Sequence, residues 1–369
     1  MRKLLTVLLW VYLGSAAAQS YPHFPNGEFP KTESTITSVN FSEILSGGPP
    51  RDGIPPIDAP EFVVYEDADE WLDDQEPVIL FEHNGTAKIY PLQILMFHEI
   101  VNDTVAGLPV AVTFCPLCNA SIVYERTIDD TVLDFGTTGR LRNSDLIMYD
   151  RQSESWWQQF TGVGIIGQYT DISLTELPSQ IVAYGVVKAE YDNAGVLSRD
   201  TGFKRPYGKN PYRGYDNIDS SPFLFRDATD PRLPPMERVL GIPVDGGNVV
   251  VPFTLLQTQT VIYLNNTKTP IVIIANTQVK SALDNEEIAE SRDIPSAAAF
   301  VAQLGGELVE LEMVEGVIKD KQTGSVWNSF GQATSGELKG QRLKQMDKGV
   351  HFAFAWLAFD PEAVVYKPQ

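Results

Sequence analysis

Cys115-Pro116-Leu117-Cys118 holds the only two cysteines of the chain. Two sulfurs at this spacing can form a redox pair, supply two thiolates to a metal, or close a small structural disulfide ring. Thioredoxin-like chemistry wants the first sulfur at a helix N-terminus, where the dipole favours thiolate. The residues that follow, Asn119 to Arg126, read as strand, which disfavours that option. A metal knuckle is the other reading, and metal binding or redox is the function expected of the box. Pro116 shapes the turn, and Asn119 tolerates the positive φ wanted after the second cysteine.

One knuckle offers only two ligands. The rest must come from His98, His83, His23, His351, a carboxylate or a methionine. His98 is the preferred third ligand, because it lies on the element directly before the cysteine strand. Met148 is a soft-ligand candidate, although a core methionine is the commoner fate. Such a set suits copper or zinc, since soft sulfur selects those ions. The alternative is a non-catalytic extracellular binding or structural module with a Cys115–Cys118 disulfide. Substrate and enzymatic activity are not legible in these residues.

A second group is the run Gly139 to Arg151, with three arginines in an acidic protein. Arg140 and Arg142 could clamp an anion or carboxylate. They could equally belong to an internal ion-pair network, as buried charges usually do. There is no G-x-S-x-G elbow, Walker loop, dinucleotide-binding glycine fingerprint or H-E-x-x-H.

The elements that position these residues read as mixed and strand-heavy. Leu92 to Val101 is predicted as a helix, with Pro91 before it and Asn102-Asp103 at its exit. Val110 to Phe114 is predicted as a buried strand. Ser121 to Arg126 and Val132 to Phe135 are predicted to form a hairpin over Asp129-Asp130. Its expected counterpart runs from Leu308 to Met313 and from Val317 to Lys319, over a Glu315-Gly316 turn. A second helix is predicted over Ser296 to Leu304. The fold class is α+β, strand-rich.

The two globular halves read as tandem copies of one mixed unit, packed together. At an offset of 161, Gly85 meets Gly246, Pro91 meets Pro252 and Pro109 meets Pro270. At an offset of 170, Asp150, Gln152, Ser155, Trp157 and Phe160 meet Asp320, Gln322, Ser325, Trp327 and Phe330. Asn276, Val279 and Gln259 stand where the first half has Cys115, Cys118 and His98. The fold therefore does not require the cluster, which favours a specific role for it. The expected boundaries are an extended lead-in over residues 19–52, a first repeat over 53–205 and a second over 236–369. A Pro- and Tyr-rich strap, 206–235, joins the repeats.

The chain has 369 residues, 43% of them apolar, and a net charge of −20. That surface repels phosphate backbones and argues against nucleic-acid binding. Residues 1–18 read as a secretory signal: Arg2 and Lys3, an apolar run too short to span a bilayer, then small residues. No membrane span is expected, and the expected location is extracellular, or periplasmic in a bacterium. Five sequons, Asn40, Asn84, Asn102, Asn119 and Asn265, fit a glycoprotein made in a eukaryotic secretory pathway.

The Cys-Pro-Leu-Cys box and the run from Asn143-Ser-Asp-Leu to Trp157-Gln-Gln-Phe160 resemble the domain of unknown function 3179 family. The resemblance spans roughly residues 55 to 365. It includes Tyr207-Gly208, Pro211-Tyr212 and Tyr215 in the strap, and Phe352-Ala-Phe-Ala-Trp356 near the C-terminus. It implies weight on Cys115 and Cys118, and it implies no established activity or cofactor.

Overall fold

The computed structural model describes residues 23–264 and 267–368. The predicted signal segment and the Asn265 sequon lie outside them. The fold is strand-rich with short helices, and it is α+β. Among the described residues no helix is long and apolar enough to cross a membrane.

In the first unit, Pro77–His83 and Thr86–Pro91 form a hairpin, followed by the single helical turn Leu92–Leu95. Ile100–Val105, Leu108–Cys115 and Ala120–Glu125 then form a meander, with Thr175–Leu177 added at its edge. A further sheet runs Phe135–Arg142, Asp145–Asp150, Trp156–Gln158, Val163–Ile166, and the lead-in adds Ile44–Ser46 at its edge. Gln180–Ala183 returns to pair with Pro77–His83 and feeds the helix Tyr184–Glu190.

The second unit pairs its strands in the same order. Val78 faces Pro91, and Val239, 161 positions on, faces Pro252. Ile100 faces Thr113 and Val261 faces Ile274. Gly195 runs parallel to Lys88, and Val364 runs parallel to Val249. The tryptophan boxes match atom for atom. Trp157 Nε1 donates to Asp150 Oδ2 at 3.0 Å, and Trp327 Nε1 donates to Asp320 Oδ2 at 3.0 Å. In each box a hydroxyl three residues after the aspartate, Ser153 or Thr323, donates to the same carboxylate.

Of the two predicted helices one is cut short and the other is absent. The helix expected over Leu92 to Val101 stops after one turn, because Glu99 takes a φ of +58°. Ile100, Val101, Thr104 and Val105 are β-branched and form a ladder with Leu108–Cys115. Ser296 to Leu304 is strand: Asp293–Val301 pairs along Ile271–Lys280. Its alanines favour helix weakly, and the long ladder with buried Ala298, Ala299 and Phe300 overrides them.

The predicted hairpin also re-pairs. Ala120–Glu125 folds back onto Leu108–Cys115, so the tight turn is the cysteine box itself. Asp129 and Asp130, both at positive φ, turn only a two-residue ladder. The Glu315-Gly316 turn exists, and joins Leu311–Val314 to Val317–Asp320. It corresponds to the Phe135–Arg142/Asp145–Asp150 hairpin, since both end on the box aspartate.

The largest apolar core surrounds the cysteine turn. It joins Phe114, Val112, Tyr124 and Trp157 of the first unit to Phe352 and Phe354 of the second. Burying a side chain of Phe size stabilises the fold by about 1.5–3 kcal/mol, so this core ties the halves together.

Candidate metal centre

The last rung of the cysteine hairpin pairs Cys115 with Ala120. Cys118 N–H donates to Cys115 O and Asn119 N–H to Pro116 O, each at 3.3 Å. Asn119 takes a φ of +49°, the left-handed conformation expected after the second cysteine. The turn is fixed from outside as well. Tyr215 of the strap donates its hydroxyl to Leu117 O at 3.1 Å.

Both cysteines are free thiols and buried. Their partner is Asp145: one ligand atom from each of Cys115, Cys118 and Asp145 lies within 4.8 Å of the other two. Asp145 opens its strand directly after Asn143 and Ser144, both at positive φ. That tight turn delivers the carboxylate to the sulfurs. Oδ2 accepts from Gln158 Nε2 at 2.6 Å and from the Phe160 N–H at 2.9 Å.

Desolvation dominates the electrostatics. It pushes the Cys115 thiol up, with Cys118 opposing, and it pushes Cys118 well up, with Cys115 adding to the effect. The same loss of water raises Asp145 to about 7, against hydrogen bonds from Gln158, the Phe160 N–H and the two cysteine thiols. Glu99, also buried, is raised to about 8, first by desolvation and then by Asp145. The metal-free site is therefore proton-rich and nearly neutral around pH 7. Two sulfurs and a carboxylate oxygen form a donor set that fits a soft or borderline divalent or cuprous ion.

His98 is not in this group. Its Nδ1 lies 2.7 Å from Pro55 O and its Nε2 lies 2.6 Å from the Tyr207 hydroxyl. With the predicted helix cut to one turn, the ring points to the Pro55 segment and the strap and clamps them. Met148 is buried opposite Thr137 and Trp157 on neighbouring strands. Three positions from Asp145 on one strand, it projects from the other face.

Arg140 and Arg142 do not converge on an anion site. Arg140 forks onto Glu28 at 2.6 and 2.9 Å, and Arg142 Nε reaches Glu43 at 2.7 Å. Both arginines pin the lead-in to the sheet. Asp150 is satisfied by Ser153 and Trp157 instead.

Two of the sequon asparagines are buried. Asn102 Nδ2 donates to Asp58 and to Phe135 O inside the fold, and Asn119 is buried in the cysteine turn. Asn40 and Asn84 are exposed.

Sequence reasoning missed Asp145 and Glu99 as members of the site. The signal for Asp145 was the Asn143-Ser144 pair, a turn former one residue before a carboxylate. Glu99 adjoins His98, takes a positive φ and is close enough to Cys115 to help push its thiol up.

Neither the curated proteins nor the solved structures return a match to this chain. The family described as protein of unknown function (DUF3179) matches residues 51–363, from the end of the lead-in to beyond the last helix. Cysteine turn, strap and both tryptophan boxes all fall inside that match, and the chain belongs to this family.

Proposed function

We propose that this is an exported protein whose Cys115–Cys118–Asp145 cluster binds one soft or borderline metal ion, copper(I) or zinc. The observation that carries the reading is the buried convergence of two free thiols on the Asp145 carboxylate. A tetrahedral centre with Zn–S bonds of about 2.3 Å separates its ligand atoms by about 3.8 Å. The present upper separation of 4.8 Å calls for a contraction of about 1 Å. Loading would release the thiol protons, since thiolate is the ligand form. Three protein ligands leave a fourth position open, and Glu99 is the nearest further acidic group in electrostatic terms.

The two units are copies of one ancestral unit in this reading, and only the first carries the site. Asn276 stands in place of Cys115, and the second unit's hairpin is extended through Val279 to Lys280. The signal segment and the exposed sequons support export.

The test is the metal content of the untagged, full-length chain, measured by mass spectrometry beside a free-thiol count. Near-stoichiometric copper or zinc, lost in Cys115→Ser and in Asp145→Asn, supports the reading. Absence of metal with an intact Cys115–Cys118 disulfide overturns it.

A further inference from the structure

The two units dock through a pair of aromatic rings in corresponding places. Phe160 of the first packs on Trp356 and Phe359 of the second, with centroids 5.6 and 4.7 Å apart. Phe330, 170 positions on, packs on Tyr191 of the first at 5.5 Å. Each ring borders a crevice.

The crevice at Phe330 is closed by its own polar groups. Arg342 pairs with Glu82 at 2.6 Å and also donates to the Tyr191 hydroxyl. Gln180 donates to Gln345 at 2.9 Å, and Gln345 donates onward to Ser179 O. The remaining cavity is about 140 Å³.

At matching positions the crevice at Phe160 carries different residues. Glu176 stands for Gln345, Gly241 for Leu80, Trp356 for Val187 and Asp360 for Tyr191. The cavity is about 290 Å³, twice the other. Gly241 has a specific reason: a Cβ there would sit 2.0 Å from the Trp356 ring. The bare strand lets the indole lie against it and form a wall. Glu176, Lys348 and Asp360 line the same space, and none of them makes an ion pair among the described residues. Among the described residues the Asp360 carboxylate accepts only from the Asn248 amide, at 2.6 Å. Glu176 is half-buried; partial desolvation and the neighbouring Asp347 raise it to about 7 although Lys348 pulls the other way.

We infer that this crevice binds a small zwitterion, a free amino acid with an apolar or aromatic side chain. Lys348 takes its carboxylate, Glu176 and Asp360 take its ammonium, and Phe160, Trp356 and Phe359 hold its side chain. A simple anion would meet two carboxylates, and a simple cation would meet the lysine. Only a ligand bearing both signs satisfies all three groups. Ammonium beside aromatic faces adds a cation–π contribution. The volume lies at the lower end of small-molecule sites, about 300–1,000 Å³, which suits one residue and not a chain.

The experiment is calorimetric titration of the full-length chain with L-phenylalanine, 2-phenylethylamine, 3-phenylpropionate and glucose. We expect saturable one-to-one binding of L-phenylalanine, with both truncated analogues weaker by about tenfold or more, the worth of about 1.4 kcal/mol each. Glu176→Gln and Lys348→Met should each weaken L-phenylalanine by a similar factor. Cys115→Ser should leave it unchanged, which separates this site from the metal centre. Absence of saturable L-phenylalanine binding overturns the inference. So does 2-phenylethylamine binding as tightly as L-phenylalanine, or displacement of L-phenylalanine by glucose. The analogue series uses the native chain, so it decides the matter even if a variant fails to fold.

Discussion

Phe352, in the second unit, donates its backbone N–H to the Cys118 carbonyl at 2.8 Å. The cysteine turn of one unit is thus held by a strand end of the other. Its ring also packs edge-on against Tyr215, the strap residue that bonds Leu117. The candidate site is a property of the docked pair of units and not of the hairpin alone.

The strap should therefore guard the thiols. In Tyr215→Phe the hydroxyl that donates to Leu117 O and accepts from the Phe223 N–H is lost. Two hydrogen bonds at about 1 kcal/mol each set the expected loss of stability. A thiol-reactive dye should label native Tyr215→Phe several-fold faster than wild type. Equal rates would show that the thiols open by another route.

His98 separates the sequence reading from the structural one. If it were a ligand, His98→Gln would lose metal as fully as Asp145→Asn. The geometry predicts instead that His98→Gln retains near-stoichiometric metal and loses about 1–2 kcal/mol of stability, because it clamps Pro55 and Tyr207. Metal analysis of the two variants, prepared side by side, decides between them.

The buried carboxyls predict the pH dependence of the metal-free chain. Unfolded Asp and Glu titrate near 3.9 and 4.3. Folded Asp145 and Glu99 are raised to about 7 and about 8. Their contribution is full below about pH 4, where both states hold the protons. Between about 4 and 8 the unfolded chain releases protons that the folded chain keeps, so stability falls as pH rises. Thermal melts of Asp145→Asn with Glu99→Gln should show a shallower decline across this window than wild type. An unchanged slope would argue that these groups are solvated.

The matched tryptophan boxes predict matched costs. Asp150→Ala and Asp320→Ala each strand a buried indole N–H and a hydroxyl. Each should destabilise by about 2–6 kcal/mol, from roughly 1–3 kcal/mol per orphaned donor. Denaturant titration giving a large effect at one box and none at the other would refute the equivalence of the two environments.

Gly241 and Trp356 should behave as a coupled pair. Gly241→Ala forces a methyl into the indole and should cost about 1–3 kcal/mol by overpacking. In a Trp356→Val background, which mimics the Leu80/Val187 pair of the first unit, most of that cost should vanish. A double-mutant cycle reads the coupling directly.

Local chemistry was enough to read part of this protein. The β-branched run before Cys115, the proline inside the box and Asn119 after it specify a strand that ends in a tight turn, because each acts through its own backbone preferences. The recurring Asp, Ser, Trp and Phe spacing is likewise local, since Asp150 and Asp320 bond groups within seven residues of themselves. The third member of the site was decided elsewhere. Asp145 and His98 are both carried close to the cysteines along the chain, and the choice depends on how the Asp145–Asp150 strand packs over the cysteine turn. The same holds for the Ala-rich run at Ser296, where a ladder of ten-residue reach outweighed a few tenths of a kcal/mol of helix preference per residue. Arg140 and Arg142 were legible as charged but not as paired, because Glu28 and Glu43 lie about a hundred residues away. Long-range packing sets such partners, and no local spacing encodes them.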